Sequence, residues 1–247
     1  MRITLLGTNG WFDSPTGSTP CVLAQTEECD IVFDAGYGFA KLDRYISGTK
    51  PAFLFLSHFH YDHIIGLHTL AKNRFDHGLR IFGLPGIDGV MRDFFNPTLT
   101  IPLDRLSFSL SFEEMNGAGP SGLPFKITAL PLIHSGPCLG YRLELGGKIF
   151  TYCTDTGYCE NAVTLARGAD LFIAESNLPP GSESNPKWPH LTPALAAQIA
   201  LEAGARRLVL VHFDASEPLE TRREAARQAA LVFPAAVAGQ DGMTFEI

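Results

Sequence analysis

Four residues of types that commonly bind metal ions lie within six positions of the sequence, in the segment Ser57–His63 (SHFHYDH). The segment follows a short apolar run that predicts a buried strand. Because alternate side chains of an extended segment point the same way, His58 and His60 can bind one ion together. Asp62 and His63 are neighbours whose side chains point apart, so they suit a second ion about 3.5–4 Å from the first. The pattern predicts a two-metal site, and a solvated histidine-rich turn is the simpler alternative.

A two-metal site needs more ligands than this segment supplies, and three candidates lie downstream. His134, Asp155 and His212 each follow an apolar run of the sequence. Strand ends at one edge of a sheet bring together residues that are distant along the chain. Each of the three alone is more typical of an ordinary polar strand end, but together with the segment 57–63 they favour metal binding.

The elements that must position these residues are short apolar runs that alternate with helical segments. Two runs, Phe53–Leu56 and Leu208–Val211, contain no polar residue, which indicates strands buried on both faces. One helix is predicted from Thr192, which can cap it, to Gly204, which ends it, and another over about 216–230. The predicted strands cover residues 2–6, 21–26, 30–34, 52–56, 80–83, 126–133, 138–145, 148–153, 171–174 and 207–212, and 115–124 and 179–189 are predicted loops.

The composition bounds the class of protein. The chain has 247 residues, of which 45% are hydrophobic and 18% charged, and this argues against a disordered chain. No composition break or repeat divides it, so one domain of mixed strands and helices is expected over residues 1–247. No apolar run approaches the ~18 residues of a membrane span, so no membrane partner is expected. The net charge of -7 argues against a broad basic surface for nucleic acid.

The cysteines bear on the cellular compartment. Their number, five, is odd and they form no C-x-x-C pair, which argues against a disulfide framework or a cysteine zinc site. The first apolar run, at the N-terminus, predicts a strand and is too short for the core of a signal peptide. A cytoplasmic protein is therefore expected.

The candidate ligands and their surroundings resemble the metallo-β-lactamase superfamily. The resemblance implies an α/β (α+β) fold, a four-layer αββα sandwich with a dinuclear site at one edge. It also implies that His58, His60 and His134 bind the first metal, that Asp62, His63 and His212 bind the second, and that Asp155 bridges both. The matching elements are SHFHYDH at 57–63, His134, TDTG at 154–157, VHF at 211–213 and DAGYG at 34–38.

A further pattern is similar to the ribonuclease Z-like phosphodiesterase branch of this superfamily. Glu175 follows a predicted strand, and His190 stands just before the capped helix at Thr192. In that branch a histidine at this place donates a proton and an upstream carboxylate holds it. A helix N-terminus would weaken proton binding by His190, and a nearby carboxylate would restore it. The simpler alternative is a solvent-exposed loop histidine.

The sequence departs from ribonuclease Z at one place. The interval from His134 to Asp155 is 21 residues, which leaves no room for the long basic arm of that family. We therefore expect a small or cyclic phosphodiester as the substrate, with RNA as a less favoured partner. Two divalent ions, zinc being expected and manganese or iron being alternatives, would share a hydroxide that attacks phosphorus. Asp62, His190 and Glu175 are the expected catalytic residues.

Other functions remain open at this point. They are a ribonuclease Z-type tRNA 3′-end endonuclease, a hydrolase of carbon esters, thioesters or lactams on the same metals, and a non-catalytic metabolite-binding protein. A homodimer is possible. Asp34 is expected to have a structural turn role, and Trp188 is a candidate for stacking on a base or sugar. The adjacent arginines Arg222 and Arg223 are expected on a solvated helix face.

Overall fold

The computed structural model describes residues 1–183 and 185–247, so Ser184, in the predicted loop 179–189, lies outside the described residues. The strands are β1 (Arg2–Gly7), β2 (Asn9–Gly10), β3 (Cys21–Gln25), β4 (Asp30–Phe33), β5 (Ala52–Phe55), β6 (Leu79–Gly83), β7 (Leu110–Glu114), β8 (Lys126–Pro131), β9 (Leu139–Leu145), β10 (Lys148–Cys153), β11 (Leu171–Glu175), β12 (Leu208–Val211), β13 (Phe213–Asp214), β14 (Ala236–Ala238) and β15 (Thr244–Glu246).

The helices are fewer and mostly short. The α-helices are α1 (Tyr61–Ile64), α2 (Ile87–Phe94), α3 (Glu160–Ala166), α4 (Pro193–Glu202) and α5 (Leu219–Val232), and 3₁₀ helices cover Tyr37–Arg44, Ile65–Lys72 and Leu103–Arg105. Among the described residues, none of these helices combines the length and the hydropathy that a membrane crossing requires.

Two large sheets pack face to face, and helices cover the outer face of each. The first sheet has seven strands in the order β15-β1-β3-β4-β5-β6-β7, and the second has six in the order β14-β12-β11-β10-β9-β8. One apolar cluster, made by residues of both sheets, fills the space between them. A second cluster joins β6 and its neighbours to α2 and two of the 3₁₀ helices, and a third joins the second sheet to α3, α4 and α5. The predicted αββα sandwich is therefore confirmed.

The non-alternating runs show why each sheet needs a covering layer on both faces. In β5, Phe53 and Phe55 point between the sheets while Leu54 points to the outer helices. In β12, Val209 belongs to the inner cluster and Leu210 to the outer one. Since successive side chains of a strand point to opposite faces, a strand that is apolar throughout needs a layer on each side.

The strand directions bring the ends of several strands to one edge. β4 and β5 run parallel, as do β10, β11 and β12. β8 is antiparallel to β9, which is antiparallel to β10, so β8 and β10 share a direction. Within each sheet, the segments that follow these strands therefore emerge at one edge. His63, after β5, lies 3.3 Å from His212, after β12, so these edges of the two sheets meet where the candidate ligands lie.

All ten predicted strands are present, with ends that differ by up to two residues. The short strands β2, β7, β13, β14 and β15 were not predicted from the sequence. The second predicted helix begins at Leu219 rather than near 216, because Pro218 holds an extended conformation at the N-cap. The first begins where expected, with the Thr192 hydroxyl accepting from the Leu195 amide at 3.3 Å.

The expectation of a solvated Arg222 is wrong. Arg222 is only 3% exposed. Its neighbour Arg223 does lie on the surface, where it forms a salt bridge with Glu220 one helical turn away. The Arg222 guanidinium donates to the side chains of Thr8 and Thr16 at 3.2 and 2.9 Å. A helix-surface pattern could not predict this, because the acceptors lie more than two hundred residues away in sequence.

The centre of the inter-sheet core is a group of aromatic rings around Phe33. The ring centroids of Phe55, Tyr141, Phe150 and Tyr152 lie 5.7, 5.9, 5.2 and 5.8 Å from it. Of these five rings, Phe33 and Phe55 belong to the first sheet and the other three belong to the second. Phe33 therefore contributes to the packing of one sheet on the other.

We expect Phe33→Ala to lower the free energy of unfolding by about 3–5 kcal/mol, because it leaves a cavity between the sheets. Urea denaturation followed by circular dichroism measures the change. The matched control is Leu231→Ala on α5, whose side chain is 86% exposed. The control should change the free energy of unfolding by no more than about 0.5 kcal/mol. Similar losses in the two variants would contradict the role assigned to the inter-sheet core.

Candidate metal centre

The segment after β5 carries four of the candidate ligands. It leaves the strand at Leu56, and His60 takes the extended N-cap position of the short helix α1. Asp62 and His63 lie inside that helix rather than in the extended segment that the sequence predicts. The change of conformation places all four side chains at one edge of the sandwich, where His58 and His63 are buried and His60 faces solvent.

Four ligand atoms form one compact group. The Nε2 atoms of His63 and His212 lie 3.3 Å apart, and both approach Asp155 Oδ2, at 2.9 and 3.0 Å. Asp62 Oδ2 lies 3.4 Å from His63 Nε2 and 3.5 Å from His212 Nε2. Ligands at about 2.1 Å from a tetrahedral ion are separated by roughly 3.4 Å, so these spacings fit a single divalent ion.

The other histidines form a second group beside the first. His58, His60 and His134 each offer a nitrogen, and these atoms all lie within 4.8 Å of one another. Nδ1 of His60 and Nε2 of His134 are 3.3 Å apart. Asp155 Oδ1 lies 3.9 Å from His134 Nε2, while its Oδ2 faces the first group. The two oxygens of one carboxylate therefore point to two adjacent sets of nitrogen ligands.

The chemistry of these groups fits divalent cations. His58 Nε2 is buried and has no hydrogen-bond partner among the described residues, an arrangement that costs free energy unless a ligand satisfies it. Burial, together with His63, holds the pKa of His58 well below its usual range, and burial lowers the pKa of His134 to about 4. Both rings are therefore neutral near pH 7 and offer lone pairs. Burial alone would raise the pKa of Asp155. The nearby His212 and His63 have the opposite and larger effect, so the pKa lies well below its usual range and the carboxylate is ionised.

The backbone at this edge is strained at three strand ends. Asp34, Asp155 and His212 follow β4, β10 and β12, and their φ angles are 56°, 50° and 54°. Residues other than glycine rarely adopt this left-handed region, because it costs them free energy. Residues strained in this way are found mainly at functional sites. Each turn directs a polar side chain toward the ligand groups instead of continuing the strand.

Asp34 holds the candidate ligand His63 in place, a role that differs from the expected structural turn. Its Oδ2 accepts from His63 Nδ1 at 2.8 Å and from the Tyr152 hydroxyl at 2.8 Å. The Ser57 amide donates to Oδ1 at 2.7 Å and the Ser57 hydroxyl donates to Oδ2 at 2.9 Å. A buried carboxylate in this position fixes the ring so that Nε2 faces the ligand group. The signal in the sequence was an acidic residue directly after an apolar strand, the same signal that identified Asp155.

His190 and Glu175 are in direct contact, as the sequence predicts. His190 Nδ1 donates to Glu175 Oε1 at 2.8 Å, and both side chains are buried, so His190 is not an exposed loop residue. Glu175 also accepts from the backbone amides of Thr156, Asn177 and Leu191. Burial lowers the pKa of His190, but the charge and hydrogen bond of Glu175 outweigh it, so the pKa is raised.

An open cavity of about 500 Å³ connects these groups to solvent. The His190 ring stacks on that of His212 with centroids 5.9 Å apart and also lies 5.5 Å from His134. The cavity is lined by Trp11, His60, Asp62, His134, Ser135, Asp155, Asn177, Trp188, His190, His212 and Asp214. A substrate in this cavity would therefore contact His190 and both ligand groups at once.

The fold and this site correspond to a known superfamily. The family model described as "Beta-lactamase superfamily domain" matches residues 30–213, which include every candidate ligand. The chain belongs to this superfamily and to its metallo-β-lactamase, ribonuclease Z-like members. It is accordingly a metal-dependent hydrolase, as its sequence predicts.

Two curated relatives illustrate the range of sizes. A ribonuclease Z of Prochlorococcus marinus (strain MIT 9301) is 28% identical over 316 aligned residues that cover 100% of both chains. The probable metallo-hydrolase YhfI of Bacillus subtilis (strain 168) is 29% identical over 221 residues, 86% of each chain. The first alignment is longer than the 247 residues of this chain, so that relative contains segments that this chain lacks.

Solved structures support the fold. The crystal structure of YhfI from Bacillus subtilis superposes with a TM-score of 0.81 and 24% identity, and covers 99% of each chain. Human tRNase Z, short form, gives a TM-score of 0.77 with 23% identity over 100% of this chain and 99% of that chain. At these identities the likeness establishes the architecture only.

We expect Asp34→Asn to weaken metal binding about 10–100-fold, because the isosteric amide places a donor group where His63, Ser57 and Tyr152 already donate. Asparagine tolerates a positive φ, so the strained turn can persist. Competition with a fluorescent chelator measures the affinity, and elemental analysis measures the metal content. Asp30→Asn is the control. Asp30 is also a buried carboxylate, but it lies at the start of β4, whereas Asp34 follows the end of that strand. Equal effects of the two substitutions would contradict the positioning role.

Proposed function

We propose that this protein is a dinuclear metal-dependent phosphodiesterase that hydrolyses a small or cyclic phosphodiester. The observation that carries the proposal is the His190–Glu175 pair. It lies in the same cavity as the two ligand groups, and the His190 ring stacks on the ring of His212. A hydrolysis that ends with an alkoxide leaving group needs a proton donor next to the metal centre, and this pair supplies one.

The proposed ligands are those predicted from the sequence. His58, His60 and His134 would hold one ion, Asp62, His63 and His212 would hold the other, and Asp155 would contact both. Nitrogen and carboxylate ligands in compact groups favour zinc, and manganese or iron are alternatives. Bound divalent ions would lower the pKa of a water molecule and neutralise negative charge on the phosphoryl oxygens.

The protein's own residues have distinct tasks in this proposal. His190 donates its proton to the leaving oxygen, and Glu175 keeps the ring oriented and stabilises its charged form. Asp62 is a ligand whose Oδ2 also accepts the Trp11 amide at 2.8 Å, so its orientation depends on the loop after β2. Asp34 orients His63 in the same way. Positioning by these buried carboxylates keeps the reacting groups in place before substrate arrives.

The restriction to small substrates rests on geometry and charge. The interval between His134 and Asp155 consists largely of the hairpin β9–β10, which turns at Gly146 and Gly147. No Lys or Arg is found among the described residues that line the cavity. Affinity for a long polyanion depends mainly on Lys and Arg contacts to phosphates, so this cavity favours a substrate with a single reacting phosphate.

A tRNA 3′-end endonuclease is the second candidate function. The observation in its favour is that a curated ribonuclease Z aligns over the whole chain. A hydrolase of carbon esters is less well supported, because the His190–Glu175 pair would have no task in it. We also infer a cytoplasmic location, since all five cysteines are buried free thiols.

We expect His190→Ala to lower kcat about 10²–10⁴-fold on a diester with an alkoxide leaving group. The loss should be much smaller with a nitrophenolate leaving group, which needs little protonation. Steady-state kinetics on the two substrates measures the difference, and elemental analysis should find the metal content unchanged. Equal losses on both substrates would indicate a binding or structural role for His190.

We expect kcat/KM to be higher for a small cyclic or linear diester than for a tRNA precursor with a 3′ trailer. Both are to be measured at physiological salt, because salt governs affinity for a polyanion. Accurate removal of the trailer at a rate far above that of every small diester would overturn the proposed substrate class and favour the endonuclease.

A further inference from the structure

The two tryptophans of the chain border the same cavity. The sequence contains only Trp11 and Trp188, and both line the cavity that holds the candidate ligands. Their exposed fractions are 74% and 57%, which is unusual for the largest apolar side chain. Neither ring is therefore needed for the packing of the sandwich, and both are available to a substrate.

Trp11 is held in an unfavourable backbone conformation. Its φ is 67°, in the left-handed region that glycine adopts without cost. Its amide donates to Asp62 Oδ2 at 2.8 Å, so the turn also supports a candidate ligand. A glycine at this position could make the same hydrogen bond without strain. The retention of an exposed indole at a strained position therefore points to a use beyond its edge contact with Phe12.

The loop that carries Trp11 is held by hydrogen bonds and by close packing against His212. The Asn9 side-chain amide donates to the carbonyl of Gly17 at 2.8 Å, and buried Arg222 donates to Thr16 at 2.9 Å. A Cβ atom at Gly10 would lie 2.5 Å from Cε1 of His212, so the loop packs directly against that ligand ring. A preorganised aromatic ring loses little conformational entropy when it binds a ligand.

Trp188 approaches the cavity from the loop 179–189. Its ring centroid lies 5.4 Å from that of His190, the proposed proton donor. A group stacked on Trp188 would therefore be attached close to the leaving oxygen. The other lining side chains that are not ligands include Asn177, Ser135 and Asp214, which can hydrogen-bond to a base or to ribose hydroxyls.

We propose that Trp11 and Trp188 bind the base of a nucleoside phosphodiester by stacking on its ring. The inference rests on the proposed phosphodiesterase function and names the substrate class for that site. Each base has an aromatic face, so stacking tolerates any base, and the absence of Lys and Arg among the described lining residues favours one nucleotide over a long polyanion. The volume of about 500 Å³ is in the range of small-ligand pockets.

The first experiment compares two substrates that share the reacting group. Adenosine 2′,3′-cyclic phosphate carries a base, and methyl riboside 2′,3′-cyclic phosphate does not. We expect Trp188→Ala and Trp11→Gly each to raise KM for the adenosine substrate about 5- to 100-fold, with kcat/KM for the riboside within twofold of wild type. Trp188→Phe should retain most of the preference. The control is Tyr45→Ala, an exposed aromatic residue outside the cavity.

A second measurement does not depend on turnover. Because both tryptophans border the cavity, their fluorescence should be quenched by adenosine 3′-monophosphate and unaffected by ribose 5-phosphate. The single variants Trp11→Phe and Trp188→Phe assign the signal to each ring. A dinucleoside monophosphate compared with the cyclic nucleotide then distinguishes a linear RNA end from a cyclic nucleotide as the source of the base.

The outcomes separate this inference from the proposed function. Equal activity on both cyclic substrates, unchanged in the variants, would overturn base stacking and leave the phosphodiesterase standing. Equal losses on both substrates would mean that the tryptophans only support the metal centre. If no diester is hydrolysed, the proposed function fails, and the presence or absence of selective quenching by the nucleotide still decides whether a base binds.

Discussion

The buried carboxylate of Asp34 connects the two sheets and the candidate metal centre. It stands where β4 of the first sheet ends, and it accepts from Tyr152 of the second sheet, from Ser57 after β5 and from the ligand His63. A buried charge with these donors is stabilised only while both sheets and the ligand loop keep their relative positions. The packing of the sandwich and the geometry of the site are therefore one requirement.

The concentration of charge at this edge has a direct consequence for function. Asp62 and Asp155 converge on the buried imidazoles of His63 and His212, and Asp34 contacts His63. A ring nitrogen of His58 also lies within 4.8 Å of His63 and Asp155 ligand atoms. Such an arrangement is unfavourable without cations, because two carboxylates approach the same imidazoles and the buried His58 Nε2 has no partner among the described residues. Divalent ions remove both costs. This edge of the sandwich is therefore suited to bind divalent cations.

In the proposed function, the residues around the candidate metal centre divide into a reactive part and a substrate-binding part. His190, held by Glu175, lies against the ligand rings in the depth of the cavity. Trp11 and Trp188 stand at its solvent side, one on a loop locked by Arg222 and the other beside His190. A ring that is held in place before the substrate arrives loses less conformational entropy on binding.

The amino-acid sequence by itself determined the pattern of the main strands and their burial on both faces, and it singled out the candidate ligands. Periodicity and strand-end polarity are local properties, and each main strand is long enough to show them. The short strands β2, β13 and β14 carry no such signal, because they form only when neighbouring strands supply partners. The helix that contains Asp62 and His63 was also not predicted, because the alternating ligands indicated an extended segment.

Only the tertiary structure decided which long-range contacts each polar residue makes. From the sequence, Asp34 was predicted to be an ordinary turn residue. The structure shows that Tyr152 and His63, which are distant along the chain, both hydrogen-bond to it. Arg222 was predicted to lie on a solvated helix face. In the structure the loop after β1 covers it and accepts its hydrogen bond at Thr8. Hydrogen bonds between residues far apart in sequence depend on how the sheets pack, and no local pattern records that packing.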